Sequence, residues 1–182
     1  MEIKFVLLLY VIILIYQPKR YISWLPTIPL YPNNREEVKV VRQMMDQRQP
    51  HHEYMFHLTD KSIVYAFKDH VSESISELRG IILRIHVMAI ILLSKYVYNR
   101  ARPHQTDPQI SPFKSTTDKT PSYPSGHAFQ AYYLADVLSE RYPDKTQLFH
   151  ELAEECALCR VYAGIHYPSD NEYSKHLVKM LR

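Results

Sequence analysis

The longest unbroken apolar run is Phe5–Tyr16, FVLLLYVIILIY, with Lys4 before it and Lys19 and Arg20 after it. Twelve helical residues reach about 18 Å, short of the roughly 30 Å hydrocarbon core of a bilayer. The run also has the length of a signal-sequence core, but no small-x-small cleavage site follows and the first alanine is Ala66. The expectation is an uncleaved anchor over residues 1–17, with flanking Lys and Tyr side chains reaching for the interface. A buried N-terminal helix is the alternative. Residues 18–34 carry Pro18, Pro26, Pro29 and Pro32 and read as a stiff, extended linker.

Residues 35–182 show helical periods. Glu36–Gln47 spaces Val38, Val41 and Met45 along one face, with acids in its first turn. Glu53–Phe67 has aromatics throughout and no clear period, and Ser72–Arg79 reads helical. Ile81–Arg100 is the most apolar internal segment. Arg84 and His86 within it argue for a buried helix over a second membrane span, and Pro103 is expected to end it. Pro103–Pro124 is a proline-rich connection, long enough in a small domain to be functional or mobile. Ala128–Arg141 carries a stripe of Phe129, Tyr133, Leu134, Val137 and Leu138. Gln147–Tyr162 aligns Leu148, Leu152, Cys156 and Cys159, with Gly164 as its terminator. Ser169–Glu172 reads as a capping box opening a last helix. With strand-like alternation scarce, the fold class is all-α.

Composition narrows this further. At 182 residues, 46% hydrophobic and 23% charged, the chain suits one domain with a core. A net charge of +3 without a clustered basic face gives no nucleic-acid footprint. Only 3 glycines exclude a glycine-rich nucleotide loop. Two cysteines, Cys156 and Cys159, make neither a disulfide framework nor a zinc ribbon; at i,i+3 they share a helix face.

Three clusters can carry chemistry. Lys95 and Arg102-Pro103 are spaced near two helical turns, so both cations are expected on one face. Alone, each reads as a surface charge. Tyr123-Pro124-Ser125-Gly126-His127 precedes a helix. Ser125 can cap it, Gly126 admits an anion to the backbone N–H groups, and His127 lies beside that anion. A capped turn without chemistry explains the same residues. In CRVYAGIHYPSD, Arg160 offers a planar fork for phosphate, and Asp170 can hold one nitrogen of His166 while the other attacks. A capping Asp beside a core His is the plainer reading.

Taken in order, the three clusters resemble the three-part signature of the type 2 phosphatidic acid phosphatase and vanadium-dependent haloperoxidase superfamily: K-x6-R-P, P-S-G-H and S-R-x5-H-x3-D. Cys159 stands where the family has serine, and a thiol is a weaker hydrogen-bond donor. The resemblance implies a helical bundle with a central site. It implies that Lys95, Arg102, Ser125, Gly126 and Arg160 bind phosphate, that His166 is the nucleophile oriented by Asp170, and that His127 is the general acid. No metal or other cofactor is implied.

The function so implied is a metal-independent phosphatase that hydrolyses soluble or lipid phosphomonoesters through a phosphohistidine. Contact with a membrane would run through residues 5–16. The lipid-phosphatase branch resembles a six-span membrane protein, whereas this layout resembles the soluble bacterial acid phosphatases with an added anchor. A vanadium-dependent haloperoxidase and a non-catalytic tethered binding module are the competing functions. Tyr123, Tyr162 and Tyr167 flank the motifs and either shape the pocket or pack in the core.

Overall fold

A computed structural model describes residues 31–182. The expected anchor over 1–17 and most of the linker over 18–34 lie outside the described residues. Within them, all regular structure is helical. The order is α1 (Asn34–Asp46), α2 (Pro50–Thr59), α3 (Val64–Phe67), α4 (Ile75–Ile82), α5 (Ile85–Tyr98), α6 (Pro103–Thr106), α7 (Gly126–Arg141), α8 (Thr146–Tyr162) and α9 (Pro168–Leu181). Single 3₁₀ turns follow α3 and precede α8.

Helix α7 is the axis of the bundle. The expected stripe is buried, but Ala128, Ala131 and Ala135 on its other faces are buried too. Small side chains there let neighbours close in on every side. Helix α8 packs along α7, α9 lies against α7, and α2 lies against α8. Phe129, Leu134 and Leu138 of α7 join Phe56, Phe67, Leu78 and Phe149 in one core. Each such side chain stabilises the fold by about 1.5–3 kcal/mol through burial. A smaller cluster of Val38, Val41, Ile110, Val161 and Tyr167 seats α1 on the outside of α8.

Local chemistry sets the boundaries. Helix α4 starts later than the Ser72 boundary, because Ser74 and Glu77 cap it reciprocally. Gly164 at φ 73° stops α8 as expected. Two expectations fail. Helix α9 opens at Pro168, so Ser169 lies inside its first turn, and it is Asp170 at the third position that accepts from the Tyr167 N–H at 3.0 Å. The segment Ile81–Arg100 is not one buried helix. It breaks at Leu83–Arg84, and in α5 only Val87, Ile91 and Lys95, four apart, are buried. Leu83, Ile85, Leu93 and Val97 face outward. All faces of α5 are apolar in sequence, so periodicity did not mark the buried one. Among the described residues no single helix is long and apolar enough to cross a membrane. The pair Ile75–Ile82 and Ile85–Thr106 reaches that length and composition only across a 50° bend.

Candidate active site

Helix α5 ends at Asn99, which takes the left-handed conformation at φ 46°, four residues short of Pro103. Lys95 and Arg102 therefore do not share a helix face, as their spacing led us to expect. The chain turns, and Arg102 sits just ahead of α6. They nevertheless meet at one cavity of about 240 Å³, lined also by Gly126, His127 and His166. Lys61, Thr117 and Thr120 add a polar side, and Met88, Ile91 and Leu92 an apolar wall.

Both cations are buried and held by backbone carbonyls. Lys95 Nζ donates to Pro121 O at 2.6 Å. Arg102 donates from Nε to Thr120 O and from Nη1 to Ile165 O, each at 2.8 Å. In these contacts the Lys95 ammonium meets carbonyl oxygens, of Pro121 and of Ser122. Burial and the charge of Arg102 push the Lys95 ammonium well below its ordinary pKa. An anion in the cavity would reverse that shift.

Ser125 caps α7, accepting from the Ala128 N–H, as its sequence position predicts. Gly126 opens the helix on the cavity wall, and a β-carbon there would touch Ile91 and Lys95 at ordinary van der Waals distance.

His166 is almost wholly buried. Its Nδ1 lies 2.8 Å from Asp170 Oδ2, and its Nε2 lies 3.4 Å from Arg102 Nη1. Asp170 is fully buried. Burial opposes its ionisation, but Arg100 and the hydrogen bonds from His166 and Ser122 outweigh that and hold it far below the usual carboxylate range. As an anion it only accepts, so the imidazole proton is on Nδ1. Burial, Arg102 and Lys95 push His166 well below its ordinary pKa. The ring is thus neutral near pH 7, with a bare Nε2 toward the cavity.

His127 has the opposite tautomer. Its Nε2 donates to the Asp60 carbonyl at 3.0 Å, leaving Nδ1 bare. Burial and the nearby Arg160 lower its pKa to about 3.

Arg160 lies in the last turn of α8, fully buried but outside the cavity lining. Its Nη2 donates to Asp60 Oδ1 at 2.8 Å, while Nε and Nη1 have no hydrogen-bond partner among the described residues. Two buried, unsatisfied guanidinium donors are costly unless an acceptor arrives. Asp60 also accepts from Ser115 and Thr116. Burial opposes its ionisation, yet these bonds and Arg160 hold it at about 2. Asp60 gave no signal in the sequence, because its segment had no period.

Cys159 does not line the cavity. Its Sγ donates to the Cys156 carbonyl and lies 3.8 Å from Thr59 Oγ1, and burial pushes the thiol up to about 11. The serine-to-cysteine departure therefore falls on the packing of α8 against α2. The flanking tyrosines belong to packing. Tyr123 stacks on Tyr173, Tyr162 on His52, and Tyr167 donates to or accepts from Thr106.

The family model of the PAP2 superfamily matches residues 79–174, a span that holds all three motifs. The chain belongs to the PAP2 superfamily. Comparison with curated proteins finds no match. Membership gives this PAP2 chain the phosphatase and haloperoxidase type of chemistry in general terms, acting on phosphate esters. The helical bundle is the fold that this membership entails. Among the described residues, no three His, Cys, Asp or Glu side chains group as metal ligands.

Proposed function

We propose that the protein is a phosphomonoesterase that works without a metal ion, through a phosphohistidine at His166. The observation that carries this is the neutral His166 ring. Its Nδ1 proton is engaged by Asp170, and its bare Nε2 faces a cavity walled by Lys95 and Arg102.

In this reading Lys95 and Arg102 bind the non-bridging oxygens of the phosphoryl group. Arg160 supplies its free Nε and Nη1 donors, and Ser125 and the Gly126 N–H complete the cradle. His166 Nε2 attacks phosphorus and the bond to the leaving oxygen breaks. The proton for that oxygen comes from His127 Nδ1, which a bound dianion would raise from its low pKa. Water, deprotonated by the same Nδ1, then attacks the phosphohistidine, giving inorganic phosphate and the free imidazole. Three side-chain cations and a helix N-terminus supply the charge that a metal supplies elsewhere. Met88, Ile91 and Leu92 offer an apolar wall to the carbon part of a soluble or lipid ester.

The test is turnover by the full chain after treatment with chelator, across soluble and lipid phosphomonoesters. Undiminished release of phosphate is the expected result. Complete loss, restored by one divalent metal, contradicts the reading. Orthovanadate is expected to inhibit competitively, because its five-coordinate form imitates the transition state. Halide oxidation after vanadate loading, without ester hydrolysis, would instead support the haloperoxidase.

We further propose that residues 1–17 anchor the chain to a membrane, that 18–34 link it, and that 35–182 form the catalytic domain. The support is the apolar run with its basic flanks.

A further inference from the structure

Arg100 stands two positions before Arg102, at one of the unspecified positions within K-x6-R-P. Its side chain is fully buried, and all three of its nitrogens donate. Nη1 reaches Asp170 Oδ1 at 2.7 Å and Ser169 Oγ at 2.8 Å. Nη2 reaches Glu37 Oε2 at 2.7 Å, and Nε reaches Asn34 Oδ1 at 2.9 Å. Glu37 closes the ring, accepting from the Ser169 N–H and hydroxyl at 2.8 and 2.6 Å. Tyr31 and Tyr167 pack against the guanidinium, with ring centroids 4.0 and 3.9 Å from its carbon.

Two features separate this cluster from ordinary core pairing. Each of the three Arg100 side-chain nitrogens has a hydrogen-bond partner, unlike those of Arg160, and all the partners belong to this cluster. And it ends on the far oxygen of the carboxylate whose other oxygen holds His166. Planar guanidinium on one side and imidazole on the other leave that carboxylate no alternative rotamer. We propose that Arg100, set by Glu37, is a positioning residue for the phosphoryl transfer. It fixes the Asp170 carboxylate against His166 Nδ1 and so aims Nε2 at phosphorus. This rests on the proposed role of His166 as nucleophile. It also gives α1 a task that its sequence did not reveal, since Glu37 brings that helix to the site.

The experiment compares wild type, R100M, R100K and E37Q by steady-state kinetics, pH profile and phosphohistidine trapping. Arg100 touches no phosphate-binding group, so KM and the inhibition constant of inorganic phosphate are expected to stay within about 2-fold, while kcat falls about 10–100-fold in R100M. The charged and titratable groups around Asp170 are Arg100, His166, Glu37, Lys95, Tyr123 and Tyr167. Of these only Arg100 changes in R100M, and the acid limb of kcat/KM should move to higher pH as Asp170 loses its cation. R100K should restore the limb but not the full kcat, because an ammonium cannot serve both carboxylates in one plane. E37Q should lower kcat less than R100M. Folded variants with wild-type kcat and limb overturn the proposal, as does a fall in Tm with kcat and KM weakened together and no shift of the limb. If R100M does not fold, the same readouts on R100K and E37Q decide. A wild type that forms no phosphohistidine overturns the functional reading and this inference with it; a labelled wild type beside unaltered variants overturns this inference alone.

Discussion

At the scale of the residue, two imidazoles face one cavity with different nitrogens bare: Nε2 of His166 and Nδ1 of His127. That difference predicts different mutational signatures. His166→Ala is expected to abolish turnover of every ester. His127→Ala should slow alkyl phosphates far more than a nitrophenyl phosphate, because an alkoxide needs a proton to leave and a nitrophenolate does not. Equal slowing of both esters, read by rapid-quench kinetics, contradicts the assignment. Asp60 makes a second case. Asp60→Asn removes the carboxylate that pairs with buried Arg160 among the described residues, and breaking such a pair costs about 3–5 kcal/mol. Saturating phosphate should then raise Tm more in the variant than in wild type; equal shifts would show that Arg160 is not part of the anion site. The motif residues were legible because their spacing is local. Asp60, Arg100 and Glu37 were not, because their partners lie 55 to 132 residues away in sequence. Glu37 looked like a first-turn acid serving the helix dipole, and Arg100 marked only the end of an apolar segment.

At the scale of the element, helices with strong punctuation were read closely. Ser125 begins α7 and Gly164 ends α8 within a residue or two of the expected boundaries. Helix α2 was not readable, since histidines and aromatics occupy all its faces. The exposure of α5 was not either, because its outward and inward faces are equally apolar. Gly164 carries a testable consequence. It has φ 73°, and an added β-carbon would meet Met45 Sδ at 2.8 Å. Gly164→Ala is expected to destabilise the domain by about 2 kcal/mol, the left-handed conformation and the contact both contributing. Met45→Ala in that background should recover part of the loss in a urea-unfolding cycle. Simple additivity of the two losses contradicts the contact.

At the scale of the whole molecule, the two buried imidazoles of the site tie stability to pH. His166 and His127 have pKa values below the ordinary 6.5, so the unfolded chain takes up their protons first as pH falls. Stability is therefore lost from pH 6.5 downward, continuing to about 3 for His127. The slope is on the order of 1 kcal/mol per pH unit for each imidazole. Asp60 and Asp170 add a loss of the same sign at lower pH. Phosphate should offset part of it. Unfolding free energies that stay level between pH 7 and pH 5 contradict this assignment. The proposed anchor over residues 1–17 predicts that the full chain fractionates with membranes, and recovery in the soluble fraction contradicts it. The central claim is that phosphorus passes through one imidazole of this bundle. Its direct test is acid-free quenching of the full-length protein during turnover of a radiolabelled ester, followed by peptide mapping. We expect a base-stable, acid-labile label on His166 at Nε2, absent from His166→Ala. A burst of product with the label on any other residue, or turnover with none, would contradict the account.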